Sequence, residues 1–378
     1  LCGPVTDNWT YQDNLLPKYH KAMGLDVSVI TSQYIWNNNG ELDIDDRGIY
    51  HNEYGIKTIR IKSKYKTNIH SKFKRFHQLY ETISNENPDV LFVHGIQFLD
   101  ISDVVKFLKR NSHVVTYVDN HADYSNSATN WLSRNILHKV IWRWCGFLIE
   151  PYTKRFYGVL PARVEFLKDV YKLPEKKIEL LVLGADDDKV KEAKDTLVNE
   201  HIRQKHQVDA DDFLIITGGK IDIAKRQILL LMKAVKEIKN EKIKLVIFGS
   251  VSSNIRDEFD SLVDNNVIKY AGWISSDLTY QYLASSDLAI FPGRHSVIWE
   301  QAVGMGVPCI FKYWEGTTHV DVGGNCKFLY NDTVEEIKGM IETLLNNPAE
   351  YTIMKNKAET IGTNSFLYSK IAEKSIKF

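Results

Sequence analysis

Short apolar runs alternate with longer stretches of helical period along the whole chain, and this rhythm constrains the fold more than any other feature. Strands covered on both faces read as continuous apolar runs, and a helix between successive strands makes the pairing parallel. In the first half the runs are Asp26–Thr31, Ile56–Lys62, Asp89–His94, His113–Val118 and Tyr157–Leu160. In the second half they are Phe213–Thr217, Ile243–Phe248, Val267–Ala271, Leu288–Phe291 and Pro308–Phe311. Helix candidates between them include Lys66–Ile83, Asn130–Phe147, Arg226–Ile238 and Ile298–Met305. A chain of 378 residues has room for two domains of the usual ~100–200 residues. The reading is α/β, two doubly wound domains in sequence. The boundary is expected near Gly184-Ala185-Asp186, giving domains 1–185 and 186–364, with a terminal helix over 365–378 returning toward the first. In such sheets ligands sit beyond the carboxyl ends of the strands, so the cleft between the two domains is the expected site.

Charge and cysteine usage exclude several classes. Lys plus Arg and Asp plus Glu both number 48, so a whole-molecule polyanion binder is not expected. Cys2, Cys145, Cys309 and Cys326 form no C-x-x-C pair and suggest no zinc site; they read as reduced and cytosolic. No apolar run reaches the ~18 residues of a membrane span, and no secretory signal is visible. The N-x-S/T matches at Asn8 and Asn331 read as chance. Asp186-Asp187-Asp188 reads as a solvated cap for the next helix, and no metal is expected.

The segments after two strands carry most of the chemical information. Gly218-Gly219-Lys220-Ile221-Asp222-Ile223-Ala224-Lys225-Arg226 combines glycines, two lysines and a helix start, a good anion site that suits a diphosphate. It matches neither G-x-x-x-x-G-K-[ST] nor G-x-G-x-x-G. After Leu288–Phe291 a turn leads into a short helix with Glu300 in its first turn and Gly306 as its stop. A carboxylate there can accept two hydrogen bonds from a vicinal diol such as a ribose, or simply complement the helix N-terminus.

The order Gly219-Lys220…Lys225, Phe248-Gly249-Ser250, Gly272-Trp273-Ile274 and Glu300-Gln301-Ala302…Gly306-x-Pro308 resembles the C-terminal half of family 4 glycosyltransferases. More weakly, Tyr11–Leu16 through Gly24–Thr31, Pro88–His94 and Gly184-Ala185-Asp186 resemble the first half and the domain junction of that family. The resemblance implies a GT-B fold of two Rossmann-like domains, a nucleotide-sugar donor and a retaining reaction with no required cofactor. It implies that Lys220 and Lys225 grip the donor diphosphate and that Glu300, as second acid of the E-x7-E motif, holds the ribose. Gly249 and Ser250 would line the nucleotide, and Trp273 and Ile274 would meet the base. The first acid of the motif falls at Pro292, so Arg294, His295 or Ser296 is expected to take its place. His121 stands where the family often has a histidine near the transferred sugar and the acceptor. Asp119 is its expected partner, and Asp123 a further candidate base. Gly3 begins a loop matching the glycine loop after the family's first strand. That strand is represented only by Leu1-Cys2, so about four to six residues are expected to precede it.

Residues 56–80 carry Lys57, Arg60, Lys62, Lys64, Lys66, Lys72, Lys74 and Arg75 with no acid, and residues 131–157 mix tryptophans with arginines and lysines. Both stretches suit an anionic membrane surface. No recognition motif for nucleic acid accompanies the charge. The expected function is a retaining, metal-independent transfer from a UDP-sugar to a hydroxyl of a lipid-linked glycan in surface polysaccharide synthesis. The expected location is the cytoplasm, peripheral to the membrane. Two alternatives stand beside it: a catalytically idle homologue supporting a partner enzyme, motivated by Pro292, and a nucleotide-sugar epimerase on the same fold.

Overall fold

The computed structural model describes residues 3–37, 41–65 and 73–377. It forms two compact units, Leu1–Val182 with Ile371–Phe378, and Leu183–Lys370. The first contains β1 (Ser28–Ser32), β2 (Tyr34–Trp36), β3 (Leu42–Ile44), β4 (Ile49–His51), β5 (Lys57–Ile61), β6 (Val90–His94), β7 (Val115–Asn120), β8 (Thr153–Gly158) and β9 (Ile178–Leu180). β1 and β5 pair in parallel, Ile30 opposite Ile59, and β4 adds antiparallel on the far side. β6-β7-β8-β9 form a separate parallel sheet, and β2-β3 a small antiparallel ribbon. The helix Ile101–Arg110 buries Ile101, Val104, Val105 and Leu108, the i, i+3, i+4, i+7 stripe, and ends in Lys109-Arg110, which suits the helix C-terminus. Each such side chain contributes roughly 1.5–3 kcal/mol when fully buried.

Part of the expected helix Lys66–Ile83 is not a helix. Residues 66–72 lie outside the described residues; beyond them Phe76 bridges to Ser63, Gln78 takes a left-handed φ of 55°, and the helix runs only over Leu79–Glu86. The stretch 130–147 is helical, with wide π-type turns over Ser133–Trp142 and an α-helix from Arg143 to Ile149.

The second unit has one sheet, built of β10 (Phe213–Gly218), β11 (Ile243–Phe248), β12 (Ile268–Gly272), β13 (Leu288–Phe291), β14 (Cys309–Lys312) and β15 (Cys326–Leu329). The order is β12-β11-β10-β13-β14-β15, all parallel. Helices cover both faces, so β11, β13 and β14 are buried throughout. The helix Ile298–Met305 is buried on every side and stops at Gly306, whose φ of +81° and a would-be Cβ 2.7 Å from Thr363 Oγ1 admit only glycine. The segment 187–205 is two helices, Asp187–Ala193 and Thr196–Lys205, because Asp195 caps the second through Leu197 N–H. Asp186 caps the first but is buried, not solvated as expected.

Candidate functional site

In the second unit the strand order reverses between β10 and β13, and their carboxyl ends open a crevice. The small pocket there is lined by Thr217, Gly218, Lys225, Pro292, Arg294, Ser296 and Trp299. The helices Ile228–Ile238 and Ile298–Met305 both start at it, so the positive ends of two helix dipoles lie close by. A short turn precedes the first helix, with Asp222 Oδ1 accepting from Ala224 N–H at 3.0 Å, and this turn carries Lys225. Burial lowers the Lys225 pKa, Asp222 opposes that, and the neighbouring Arg294 and Lys220 cations lower it further. Three cations against one nearby carboxylate is an arrangement that an anion completes.

The loops after β10, β11 and β12 are stitched to one another. Gly219 N–H donates to Phe248 O at 3.0 Å, Ile221 N–H to Ser250 O at 2.8 Å, and Gly249 N–H to Gly272 O at 2.7 Å. Gly249 has φ +112°, and a Cβ on it would lie 1.9 Å from Gly219 O, so only glycine lets these loops meet. Trp273 follows at the end of the row with its indole 75% exposed. Ile274 is half-buried.

Glu300 is fully buried and shared by two imidazoles. His295 Nε2 donates to its Oε1 at 2.8 Å and His319 Nε2 at 2.9 Å, while Oε2 and His319 Nδ1 are buried without a hydrogen-bond partner. Burial pushes the carboxyl pKa up, but the two histidines outweigh it and bring it down to about 2.

The first unit holds a similar device at the carboxyl ends of β6 and β7. Asp119, fully buried, accepts from Gly95 N–H at 2.9 Å through Oδ1. Its Oδ2 meets His94 Nδ1 at 2.8 Å and His121 Nε2 at 3.2 Å, and Asp13 Oδ1 lies 3.3 Å from the same His94 nitrogen. Burial lowers the His94 pKa, but Asp119 and Asp13 prevail and raise it; Asp119 is held well below the usual carboxylate range despite its burial. The His121 ring is 40% exposed. Either His–carboxylate–His set offers donors of the kind that bind zinc or iron(II), and in either the carboxylate is equally satisfied by imidazole N–H groups.

Residues 198–361 match the family model "Glycosyl transferases group 1". The second unit is a group 1 glycosyltransferase domain. The chain is similar in structure to a glycosyltransferase from Rickettsia africae ESF-5, at 15% identity and TM-score 0.68, covering 99% of this chain and 96% of that one. It is similar to Anabaena HepE in complex with UDP and glucose, at 13% identity and TM-score 0.62, covering 99% and 97%. It is also similar to WaaG, a glycosyltransferase involved in lipopolysaccharide biosynthesis, at 14% identity and TM-score 0.60, covering 100% and 99%. These likenesses establish the fold as GT-B, α/β with two Rossmann-like units. No curated protein sequence matches the chain significantly.

Within the transferase domain the structure gathers Lys225, Arg294 and Ser296 around one pocket, with Lys220 beside it. It separates the three candidates for the missing acid, since Arg294 and Ser296 line the pocket while His295 is bonded to Glu300. Gly249, Ser250, Trp273 and Ile274 stand along the glycine row and do not line the pocket. In the first unit His121 and Asp119 are together, and the Gly3 carbonyl accepts from Thr31 Oγ1. Asp123 is occupied elsewhere, accepting from Ser125, Asn126 and, at 3.1 Å, Arg163. Sequence reading missed Asp13, His94 and His319. His94 had a signal, since it ends a strand and precedes Gly95; His319 had none.

Proposed function

We propose that the protein transfers a sugar from a UDP-sugar to an acceptor hydroxyl with retention of configuration. The observation that carries this reading is the cationic pocket at the strand-order reversal, where Lys225, Lys220, Arg294 and two helix starts would take the charge developing on the leaving diphosphate. Preorganised electrostatics of that kind is usually the largest catalytic contribution and needs no metal. Gly219, Gly249 and Ser250 would line the nucleotide, Trp273 and Ile274 would meet the base, and Glu300 would hold the ribose through Oε2. Uridine is supported by the UDP bound in the HepE structure.

No carboxylate lines the pocket among the described residues, which favours same-face displacement with the leaving phosphate as base. Trapping a covalent glycosyl–enzyme adduct would overturn that step. On the first unit His121, oriented by Asp119, would hydrogen-bond the acceptor hydroxyl, with the Gly3 loop alongside. A lipid-linked glycan acceptor is supported by the part WaaG plays in lipopolysaccharide biosynthesis and by the exposed apolar stripe Leu132, Ile136, Val140 and Phe147. Among the described residues no helix is long and apolar enough to cross a membrane, so contact with a bilayer would be peripheral.

Calorimetric titration of UDP, GDP, ADP and CDP without metal, on the wild type and on Lys225→Ala, tests the reading. Clear binding of UDP that weakens in the variant supports it; no binding by any of the four removes it. The Pro292 departure favours one second reading, a homologue that binds the nucleotide without turnover. UDP binding with no transfer or hydrolysis of any UDP-sugar would establish that reading instead.

A further inference from the structure

Three donor atoms converge at the carboxyl ends of β6 and β7, and a fourth stands beside them. Parallel pairing sets His94 opposite Asp119, and strand alternation returns His121, two residues further on, to the same side. The helix Gln12–Ala22 carries Asp13 in its first turn. His94 Nδ1 lies 2.8 Å from Asp119 Oδ2 and 3.3 Å from Asp13 Oδ1, and His121 Nε2 lies 3.2 Å from the same Asp119 oxygen. The two imidazole N–H groups satisfy Asp119, but the one hydrogen on His94 Nδ1 cannot then also serve Asp13. The Asp119 carboxylate is held from behind as well. Gly95 N–H donates to Oδ1 at 2.9 Å and leaves Oδ2 to face the imidazoles. Carboxylates that bind metal ions are held in place by outer hydrogen bonds of that kind.

We propose that His94, Asp119 and His121 form a zinc site in the first unit, with Asp13 as the acid that closes it. Zinc bonds of about 2.0–2.2 Å to nitrogen and oxygen put neighbouring donors of a tetrahedron about 3.3–3.5 Å apart. The separations here run from 2.8 to 3.3 Å, so the side chains need only open slightly around an ion. The three donors of the His–Asp–His set all lie within 4.8 Å of one another. The donor types select the ion. Two imidazoles with carboxylates suit zinc, whereas magnesium prefers a shell of oxygens. Two carboxylates also cancel the charge of a divalent ion. Entry is open, because the His121 side chain is 40% and the Asp13 side chain 30% exposed. The Glu300 group fits an ion less well. It offers one carboxylate, both imidazoles meet the same oxygen Oε1, and its side chains are no more than 12% exposed. An ion bound by the first set takes Nε2 of His121. It leaves Nδ1 as the one nitrogen that this ring can offer to another group.

Zinc uptake by the full chain, measured in competition with a chromogenic chelator, tests the proposal. The wild type is expected to take up a single zinc ion per chain in the presence of a large excess of magnesium, and to melt a few degrees higher with zinc than without. His121→Gln changes a side chain that is well exposed, so the fold survives it. It is expected to weaken zinc about 100-fold or more, and Asp13→Asn about tenfold, since losing an outer partner alone costs about 10- to 100-fold. His295→Gln, which alters the Glu300 group, is expected to leave uptake unchanged. Cobalt(II) gives a second readout. The wild type should show the visible d–d absorption of a four-coordinate ion, and His121→Gln should lose it at the same cobalt concentration. Melting curves without metal establish that each variant is folded. Absence of zinc uptake by the wild type overturns the proposal. So does uptake that His121→Gln leaves intact, or that His295→Gln abolishes instead. UDP titration without metal is read separately, because the zinc site is built from first-unit residues alone and does not depend on the transferase reading.

Discussion

In the first unit Asp119 is shared by His94 and His121; in the transferase domain Glu300 is shared by His295 and His319. Both carboxylates are fully buried, and the difference lies in the histidines. The His121 side chain is 40% exposed, whereas His295 is 12% and His319 3% exposed. A buried acid behind an exposed imidazole presents a ring in a defined orientation to an outside group. A buried acid between two covered imidazoles ties the turn after β13 to the loop after β14. The charge around them differs as well. In the transferase domain Arg294 and two lysines gather at the anion pocket, whereas beside His94 in the first unit stands a second acid, Asp13. The proposed reading therefore gives the motif two uses: orienting an exposed ring toward the acceptor in one unit and, in the other, tying two loops together behind the carboxylate that would take the ribose.

Exchanging the roles of two histidines is the strongest way to break this comparison. His121→Gln is expected to lower kcat about 100-fold or more while changing stability by no more than about 0.5 kcal/mol. His319→Ala is expected to do the reverse, costing about 1–3 kcal/mol in denaturant unfolding and leaving kcat of the folded fraction nearly intact. A silent His121 beside an inactive but stable His319 variant would invert the assignment.

Glu300 comes next in size. Glu300→Ala strands two buried imidazole N–H groups and is expected to cost about 3 kcal/mol. Glu300→Gln keeps an acceptor and costs less, but it removes a pH dependence. The folded pKa, about 2, lies below the ordinary 4.5, so the stability this carboxylate adds is present above pH 4.5 and fades as pH falls toward 2. The wild type and Glu300→Gln should therefore converge in urea midpoint over that window. His94 has the opposite sign. Its pKa is raised above 6.5, so its contribution is full below 6.5 and is lost as pH climbs through the raised value. The advantage of the wild type over His94→Gln should vanish on the alkaline side. Equal pH behaviour in the two variants would deny the contrast between the units.

How much of this was legible in the sequence follows from burial. Five of the six strands of the transferase domain begin or end within two residues of the apolar runs, as at Ile243–Phe248 and Leu288–Phe291, while β15, Cys326–Leu329, answers to no expected run. β2, β3, β4 and β9 escaped because each is only three residues long, too short to stand out as an apolar run, for example Leu42–Ile44. Helical period between two strands predicts a helix through Lys74–Gln78, and a long-range bridge from Phe76 to Ser63 overrides it. In the site, the loops after β10 and β13 were legible because the rule for sheet ends needs only the local order of residues. The bond from His319 to Glu300 joins residues 19 apart across a strand and a loop, and no local pattern encodes it.

The anion pocket supplies a smaller, sharper test. Lys225→Ala is expected to weaken UDP about 10- to 100-fold, the worth of a charge-assisted hydrogen bond, and uridine hardly at all. Because burial and two neighbouring cations already depress its pKa, wild-type affinity for UDP should decline as pH rises through that lowered value, with proton uptake on binding above it and none well below it. Calorimetry in buffers of different ionisation enthalpy reads both. Equal losses for UDP and uridine would move Lys225 away from the diphosphate.

The smallest effect concerns which face of the first unit would meet a membrane on the proposed reading. The basic stretch 56–80 is largely neutralised at the described residues, since Lys57 pairs with Glu86, Arg60 with Asp45, and Lys64 and Arg75 with Asp100. The stretch 131–147 is different. Leu132, Ile136, Val140 and Phe147 recur at near-helical spacing, each 41–61% exposed, with Trp131 and Trp144 also exposed. A membrane surface rewards apolar area that water does not, so this stripe is expected to carry more of any bilayer contact than the lysines do. Replacing Leu132, Val140 and Trp144 by serine should lower partitioning onto anionic vesicles about tenfold, since each side chain forfeits part of its roughly 1.5–3 kcal/mol burial value. Lys62→Gln with Lys64→Gln should change it by about threefold or less, below the roughly 1 kcal/mol that each unpaired cation contributes at an anionic surface, because Lys64 is already paired with Asp100. If sedimentation with vesicles responds to the lysines and not to the stripe, attraction between charges alone holds the unit to the surface. The exposed apolar side chains must then meet something other than lipid.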